Sequence, residues 1–249
     1  MTPQFETQAA NSVFGLPFAE AEAFFRRKLN VPTSAWNDLW QAEHAKGFMT
    51  AGAMKADLLA DMRNAVDQAI AGNLDLAEFR QQFDSIVQKH GWAYNGGRNW
   101  RSALIYDINV NTAYQAGRWQ QFVEGGAKYL KYVHADGVLN PRPEHVALDG
   151  TVRPIDDPFW STHYPPNGWG CQCRAVIADE NELTDVPSVA GDPATVDEAW
   201  AYNVGQAGME KADTVLADKL TRLAAAGFAV LAQQLAAEIL AITGREVRP

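Results

Sequence analysis

Residues 164–174 read YPPNGWGCQCR, and this stretch decides how the middle of the chain folds. Its paired prolines and two glycines exclude a regular helix, because proline lacks a backbone donor and glycine favours turns. Two shorter stretches precede it, EHVALDG at 144–150 and DDPFW at 156–160, and both contain turn-forming residues. Together they predict one long, irregular loop, which needs side-chain interactions to hold its shape.

Candidate metal ligands lie in this loop. Cys171 and Cys173 are the two cysteines of the chain, and His145 precedes them. Thiolates and imidazole are ligands that zinc prefers, at bond lengths of about 2.0–2.3 Å, and His163 or His134 could complete a tetrahedral set. Zinc motifs more often place two to four residues between cysteines, but both sulfurs of this pair would point to one face of an extended strand.

Other interpretations of the cysteines stay open. Buried free thiols can act as small hydrophobic groups beside a histidine that caps a turn. A disulfide between Cys171 and Cys173 is disfavoured, because a ring closed over one intervening residue is strained. The sequence therefore predicts either a zinc site or a pair of structural thiols.

Composition describes a globular chain. It has 249 residues, of which 47% are hydrophobic and 10% aromatic, enough for one large or two modest domains. It contains no run of eighteen apolar residues and begins without the basic and apolar regions of a signal peptide. We therefore expect a soluble, non-secreted protein without membrane contact, in a reducing compartment where no disulfide framework is needed.

The charge pattern opposes general DNA binding. The formal net charge is −9, divided as −3 over residues 1–97, +1 over 98–174 and −7 over 175–249. Affinity for duplex DNA depends on cations that meet phosphates, so only the middle third is a candidate. The possible nucleic-acid contacts there are Arg98, Arg101, Lys128 and Lys131. A mixed solvated surface with ordinary ion pairs is the competing interpretation.

Apolar residues at helical spacing predict an N-terminal helical region over residues 1–97. One helix begins at Pro17 and ends at Pro32, and a second runs from there towards Gly47. A third covers 58–70. A capping box at 75–78 opens a fourth helix, which ends at a glycine.

A small β-containing domain is predicted over 98–180. Residues 98–124 read as one long helix whose amide side chains should contact the irregular loop. Residues 128–134 alternate like a half-buried strand, and 175–178 are its expected partner. The loop is then a long excursion between two paired strands.

An acidic connector and a C-terminal helix are predicted over 181–249. The apolar stripe of residues 209–242 is wide enough to pack on this chain or on a neighbour. The expected fold class is α+β and mostly α-helical: an N-terminal helical unit, a small β-containing domain with a long irregular loop, and a C-terminal helix.

The loop resembles the signature of the phage Mu F-like minor head proteins, the phage head morphogenesis family. The resemblance is carried by His145-x-x-Leu148-Asp149-Gly150, by Asp157-Pro158-Phe159-Trp160 and by Pro165-Pro166-Asn167-Gly168-Trp169-x-Cys171-x-Cys173-Arg174. It continues on both sides and spans roughly residues 14–220. It assigns structural roles in the motif to Asp149, Gly150, Asp157, Pro158, Trp160, Pro165, Pro166, Gly168 and Arg174.

The resemblance implies a non-enzymatic minor head protein of a bacteriophage. Such a protein joins the procapsid near the portal, assists head morphogenesis and genome packaging or delivery, and lies in the host cytoplasm before it enters the virion head. The expected partners are the portal protein, a scaffold or major capsid protein, and DNA as a weak contact. Possible zinc binding is the only cofactor expectation.

A toxin-type enzyme is the competing hypothesis, either ADP-ribosyltransferase-like or a metal-assisted hydrolase that uses His145 and Asp149. Aspartate followed by glycine or proline is ordinary turn chemistry, which explains Asp149 and Asp157 without catalysis. The chain has no glycine loop with the spacing of a phosphate-binding motif. The sequence therefore assigns no catalytic residue.

Overall fold

The computed structural model describes residues 18–33, 35, 37–184, 196–210, 219–222, 224–225 and 229–243. The helices bounded there are α1 Ala19–Arg26, α2 Ala56–Ile70, α3 Leu76–His90, α4 Arg98–Glu124, α5 Pro143–Ala147, α6 Phe159–His163, α7 Val204–Met209 and α8 Ala229–Thr243. The strands are β1 Leu29–Asn30, β2 Gly47–Phe48, β3 Tyr129–Val133, β4 Val152–Pro154 and β5 Arg174–Ala178. The expected α+β, mostly α-helical class is confirmed. None of the described helices is long and apolar enough to cross a membrane.

The capping residues in the sequence predict α3 correctly. The Asp75 carboxylate accepts the Glu78 N–H at 2.8 Å, and the Glu78 carboxylate accepts the Asp75 N–H at 2.9 Å. This reciprocal pair satisfies two amides that the first helical turn leaves without a partner. Gly91, with φ of 59°, ends the helix in the left-handed conformation that glycine adopts without strain.

The second predicted helix is wrong, because the described residues of this segment form no helix other than a short 3₁₀ helix, Gln41–Ala45. The Glu43 carboxylate is buried, accepts the Trp40 N–H at 2.7 Å and pairs with Arg222 at 2.5 Å. This ion pair with the C-terminal part of the chain holds the segment in a tight turn. The tertiary contact therefore decides the structure of this segment, because the helical pattern covers too few residues to form a helix alone.

The first predicted helix ends early, at Arg26, and Leu29 belongs to β1 instead. β1 pairs in parallel with β2, which joins Leu29 to Gly47. Close approach explains why Gly47 is suitable: a Cβ there would lie 2.5 Å from the Leu39 side chain.

Helix α4 is the centre of the molecule and has the predicted bounds. It packs against α1, α2, α3 and α7. Gly117 lets α1 approach closely, since a Cβ at this position would lie 2.8 Å from the Ala21 nitrogen. One buried cluster runs from Phe18 to Ala207 and takes residues from all three predicted regions. Trp100 is 56% exposed in the first turn of α4.

The main sheet has three antiparallel strands in the order β4-β3-β5. Its register joins Tyr132 to Ala175 and Leu130 to Arg153. The predicted pairing of the strands that flank the loop is confirmed. β4 was not predicted, because three residues ending in a proline show no alternation of polar and apolar residues. The sheet tolerates this proline because β4 is an edge strand.

Helix α8 packs on this chain. A second buried cluster joins it to the segment around β1: Leu29, Val31, Leu39, Leu220, Ala232, Leu235 and Ile239. Packing within one chain is therefore confirmed for the described part of the predicted 209–242 helix. Residues 211–218, 223 and 226–228 of that prediction lie outside the described residues.

Candidate functional site: the His–Cys–Cys loop

The three candidate metal ligands lie on two separate segments of the irregular loop. His145 lies in α5, whose first residue is Pro143, and the His145 N–H donates to the Arg142 carbonyl at 3.0 Å. Proline suits a first helical position, where no amide donor is needed. Cys171 and Cys173 lie just before β5 and are reached through a turn.

The structure brings these three side chains into one buried cluster. The Nδ1 atom of His145 lies 3.7 Å from the Sγ atom of Cys171 and 3.7 Å from that of Cys173. The three residues are 3%, 4% and 2% exposed, in the same order. Their donor atoms all lie within 4.8 Å of one another, and both cysteines are free. The three candidate metal ligands therefore lie together in the fold.

The cluster favours one thiolate. Contact with the Cys171 thiol, followed by contacts with His145 and Tyr132, holds the pKa of Cys173 well below its usual range. Contact with Cys173, together with burial, raises the pKa of Cys171. Burial also raises the pKa of Tyr132, so its hydroxyl stays protonated, and it donates to the Asn167 Oδ1 at 3.1 Å.

Amide side chains of α4 hold the cysteine segment, as the sequence predicted. The Asn111 Nδ2 donates to the Cys171 carbonyl at 2.6 Å, and the Gln115 Nε2 donates to the Cys173 carbonyl at 3.3 Å. The Tyr164 hydroxyl donates in return to the Gln115 carbonyl at 2.9 Å. These bonds satisfy buried polar groups and fix the loop against the central helix.

The other two candidate histidines do not belong to the cluster. His163 is fully buried, stacks on the Phe159 ring at 4.6 Å, and its Nδ1 lies 2.7 Å from the Thr162 hydroxyl. His134 is half-buried, and its backbone N–H donates to the Asp149 carboxylate at 2.8 Å. The prediction that either completes a four-ligand set is not supported by this geometry.

Asp149 and Asp157 bind backbone amides. Besides the bond from His134, the turn after Asp149 is closed by the Gly150 N–H, which donates to the Tyr132 carbonyl at 3.0 Å. The Asp157 Oδ1 accepts the Phe159 N–H at 2.8 Å and so stabilises the start of α6. Both carboxylates have the turn-stabilising role that their sequence context predicts.

The remaining motif residues shape the loop. Trp160 is fully buried, and its carbonyl accepts the Asn203 Nδ2 at 3.0 Å. Gly168 lets Arg142 approach, since a Cβ there would lie 3.2 Å from its guanidinium, which donates to the Trp169 carbonyl at 2.5 Å. Pro158 immediately precedes α6, the Pro165–Pro166 peptide bond is cis, and Arg174 is exposed at the start of β5.

Residues 60–176 match the family model for Phage Mu protein F like protein. Over this stretch the chain is Mu F-like. The matched stretch begins within α2 and ends within β5, so it includes α4 and the whole His–Cys–Cys loop. No solved structure matches the chain significantly.

Two curated relatives have names that concern phage assembly or phage origin. The putative capsid assembly protein F of Escherichia phage Mu is 37% identical over 176 residues, which are 64% of this chain and 40% of that protein. The Mu-like prophage FluMu F protein of Haemophilus influenzae is 34% identical over 157 residues, which are 58% of this chain and 38% of that protein. The chain thus spans about two fifths of the length of these relatives.

The four candidate nucleic-acid contacts do not form one patch. Arg98 pairs with Asp84 at 2.6 Å, Lys131 pairs with Glu182, Arg101 donates to the backbone, and Lys128 is exposed. The arginines lie in the first turn of α4, and the lysines follow its other end. This helix is about 40 Å long, so Arg98 and Lys128 lie far apart.

Sequence reasoning missed a cavity of about 110 Å³ beside α4. Its lining includes Lys28, Arg101, Trp169 and Trp200. Lys28 is 5% exposed, and its ammonium lies 5.0 Å from the centroid of the Phe24 ring. No signal in the sequence predicts this burial, because the elements that cover Lys28 come from distant parts of the chain.

Proposed function

We propose that this Mu F-like chain is a minor head component that acts in phage head morphogenesis by binding the portal protein. The observation that carries the proposal is the 37% identity to a putative capsid assembly protein over 176 residues. The chain would assemble in the host cytoplasm and then lie in the virion head.

The environment of the loop residues supports a structural role. His145 is buried against two thiols, and the Asp149 and Asp157 carboxylates accept backbone amides. A hydrolytic or transferase site needs a base and a nucleophile that converge on space for a substrate. His145 and Asp149 instead have different partners, so this geometry gives no support to the toxin-type enzyme.

The outer side of the loop supports a protein contact. Leu139 is 74% exposed and Val146 is 47% exposed, on the part of the loop that includes α5. Exposed apolar side chains of this kind are groups that a protein partner can cover. The net charge of −9 and the separation of the candidate cations oppose strong binding to DNA. They favour a protein as the main partner.

Co-expression of the full chain with the portal protein of the same phage tests the proposal. We expect capture of the portal protein to enrich the chain and Val146→Asp to weaken this enrichment. Val230→Asp, at a position 69% exposed on α8, is the matched control and should bind normally. Enrichment no greater than that of an unrelated phage protein would contradict portal binding; selective enrichment by scaffold or major capsid protein would assign the contact to those partners.

A further inference from the structure

We propose that His145, Cys171 and Cys173 bind one zinc ion that joins α5 to the segment before β5. The ion would stabilise the loop wherever the protein acts, so the inference goes beyond head morphogenesis and does not depend on it. The two sides of the site are 26 and 28 residues apart in sequence. A bond between them therefore closes a long loop that contains little regular structure.

The distances fit a tetrahedral ion. Zinc bonds of about 2.0–2.1 Å to nitrogen and about 2.3 Å to sulfur, at tetrahedral angles, place the nitrogen and sulfur atoms about 3.6 Å apart. The structure has 3.7 Å from the His145 Nδ1 to each of the two sulfurs. Both nitrogen–sulfur distances thus match those of a tetrahedral site, and all three donor atoms lie within 4.8 Å of one another.

Hydrogen bonds alone explain this arrangement less well. A neutral imidazole has one acceptor nitrogen with a single lone pair in the ring plane. Whether the His145 Nδ1 carries a proton or the lone pair, it can form one hydrogen bond with good geometry, but here two sulfurs lie at the same distance from it. An ion between the three donor atoms satisfies both sulfurs and the nitrogen together.

The surroundings of the sulfurs suit metal-bound thiolates. The Ala135 backbone N–H faces the Cys173 sulfur, and the Asn167 backbone N–H faces that of Cys171. Donors of this kind orient and stabilise the ligands of metal sites. The carbonyls of both cysteines are held by α4, so the ligand positions are fixed by elements outside the loop.

The ligand set indicates both the metal and the coordination number. Two thiolates and an imidazole favour zinc over magnesium or calcium, which prefer oxygen ligands. Within the described residues, no fourth histidine, cysteine or carboxylate joins the group. The Tyr132 hydroxyl is already bonded to Asn167. We assign the fourth position to a water molecule.

Metal analysis of the full chain, purified without chelators, is the primary test. We expect one zinc ion per chain. Replacement by cobalt should give sulfur-to-cobalt charge-transfer absorption together with the intense visible bands of four-coordinate cobalt. Removal of the ion with a strong chelator should lower the melting temperature, because a site that exists only in the folded state is linked to folding.

Matched variants locate the ion. Loss of a hydrogen-bond partner of a metal ligand weakens metal affinity by roughly 10-fold or more. Cys171→Ser and Cys173→Ser each remove a ligand itself, so each should weaken zinc affinity by more than that. His134→Ala, which changes a nearby histidine outside the cluster, should retain one zinc ion per chain. Circular dichroism of each variant separates loss of the ion from loss of the fold.

Two results would overturn the inference. One is a folded wild-type chain that contains no zinc and gives no cobalt charge-transfer band. The other is a folded Cys171→Ser/Cys173→Ser double variant that binds zinc as the wild type does. A zinc-free chain that still binds the portal protein would refute the metal site alone, whereas a zinc-loaded chain without portal binding would refute the proposed function alone.

Discussion

At the scale of single residues, Lys28 is an ionisable group that the fold buries. It is 5% exposed, and burial, together with the charges of Arg63 and Lys46, lowers its pKa to about 7. The Phe24 ring favours the charged form and offsets part of this shift. Between pH 7 and the ordinary lysine pKa of about 10.4, the unfolded chain binds this proton and the folded chain releases it, so stability rises with pH.

Lys28→Met should therefore raise the free energy of unfolding by roughly 2–4 kcal/mol at pH 6 and by much less at pH 10. The reason is that methionine fills the same space and removes a buried charge that the folded state tolerates poorly below pH 7. Urea denaturation of both proteins from pH 6 to pH 10 measures the difference. Lys128→Met, at an exposed position, should change stability by less than about 0.5 kcal/mol at every pH. A gain from Lys28→Met that stays constant with pH would show that the lysine keeps its ordinary pKa.

Gly205 is required by close packing between α7 and α4. A Cβ there would lie 2.1 Å from the Trp119 Cβ, an atom that cannot move without moving α4. We expect Gly205→Ala to reduce the free energy of unfolding by about 1–3 kcal/mol or more. Gly97→Ala is the control, because a Cβ at Gly97 meets no atom within 4 Å. Equal stability of the two variants, measured by urea denaturation, would refute this packing.

At the scale of elements, α4 holds the loop through side-chain amides. Asn111→Ala should leave the Cys171 carbonyl without its donor and reduce the free energy of unfolding by about 1–3 kcal/mol. The same change at Asn109 is a matched control, because its Nδ2 donates to the Ile105 carbonyl of its own helix. Thermal and urea unfolding compare the two variants. A smaller effect for Asn111→Ala than for Asn109→Ala would mean that the loop is held by other contacts.

Helices set by capping residues were predicted correctly, whereas a segment set by a tertiary contact was not. The box of Asp75 and Glu78 and the left-handed Gly91 placed α3 within the sequence, because each acts on backbone groups four or fewer residues away. The prediction of a helix before Gly47 was wrong, because Glu43 binds Arg222, 179 residues away. A periodicity over a few residues contains no information about such a partner.

At the scale of the whole molecule, α8 joins the C-terminal and N-terminal parts of the chain. Leu235 is 5% exposed against the segment around β1, whereas Val230 of the same helix is 69% exposed. Leu235→Asp should release α8 and reduce the free energy of unfolding by about 3 kcal/mol or more, because it buries an unpaired charge. Val230→Asp should have little effect. Limited proteolysis and urea unfolding check both, and an undisturbed α8 in Leu235→Asp would show that this packing is absent in solution.

The sequence by itself determined the fold class, α3, α4, the pairing of β3 with β5 and the three soft donors of the loop. These features depend on periodicity, on capping and on residue chemistry, all of which act locally. The resemblance in the loop also predicted the similarity to Phage Mu protein F like protein over residues 60–176.

Only the tertiary structure decided which groups meet. It placed His145 beside Cys171 and Cys173 while His163 stacked on Phe159, and it placed Arg98 and Lys128 towards opposite ends of α4. It also added β4 to the sheet and buried Lys28. Each of these outcomes depends on which distant segments pack together, and that choice is made by the combined burial of the core, which no short stretch of sequence contains.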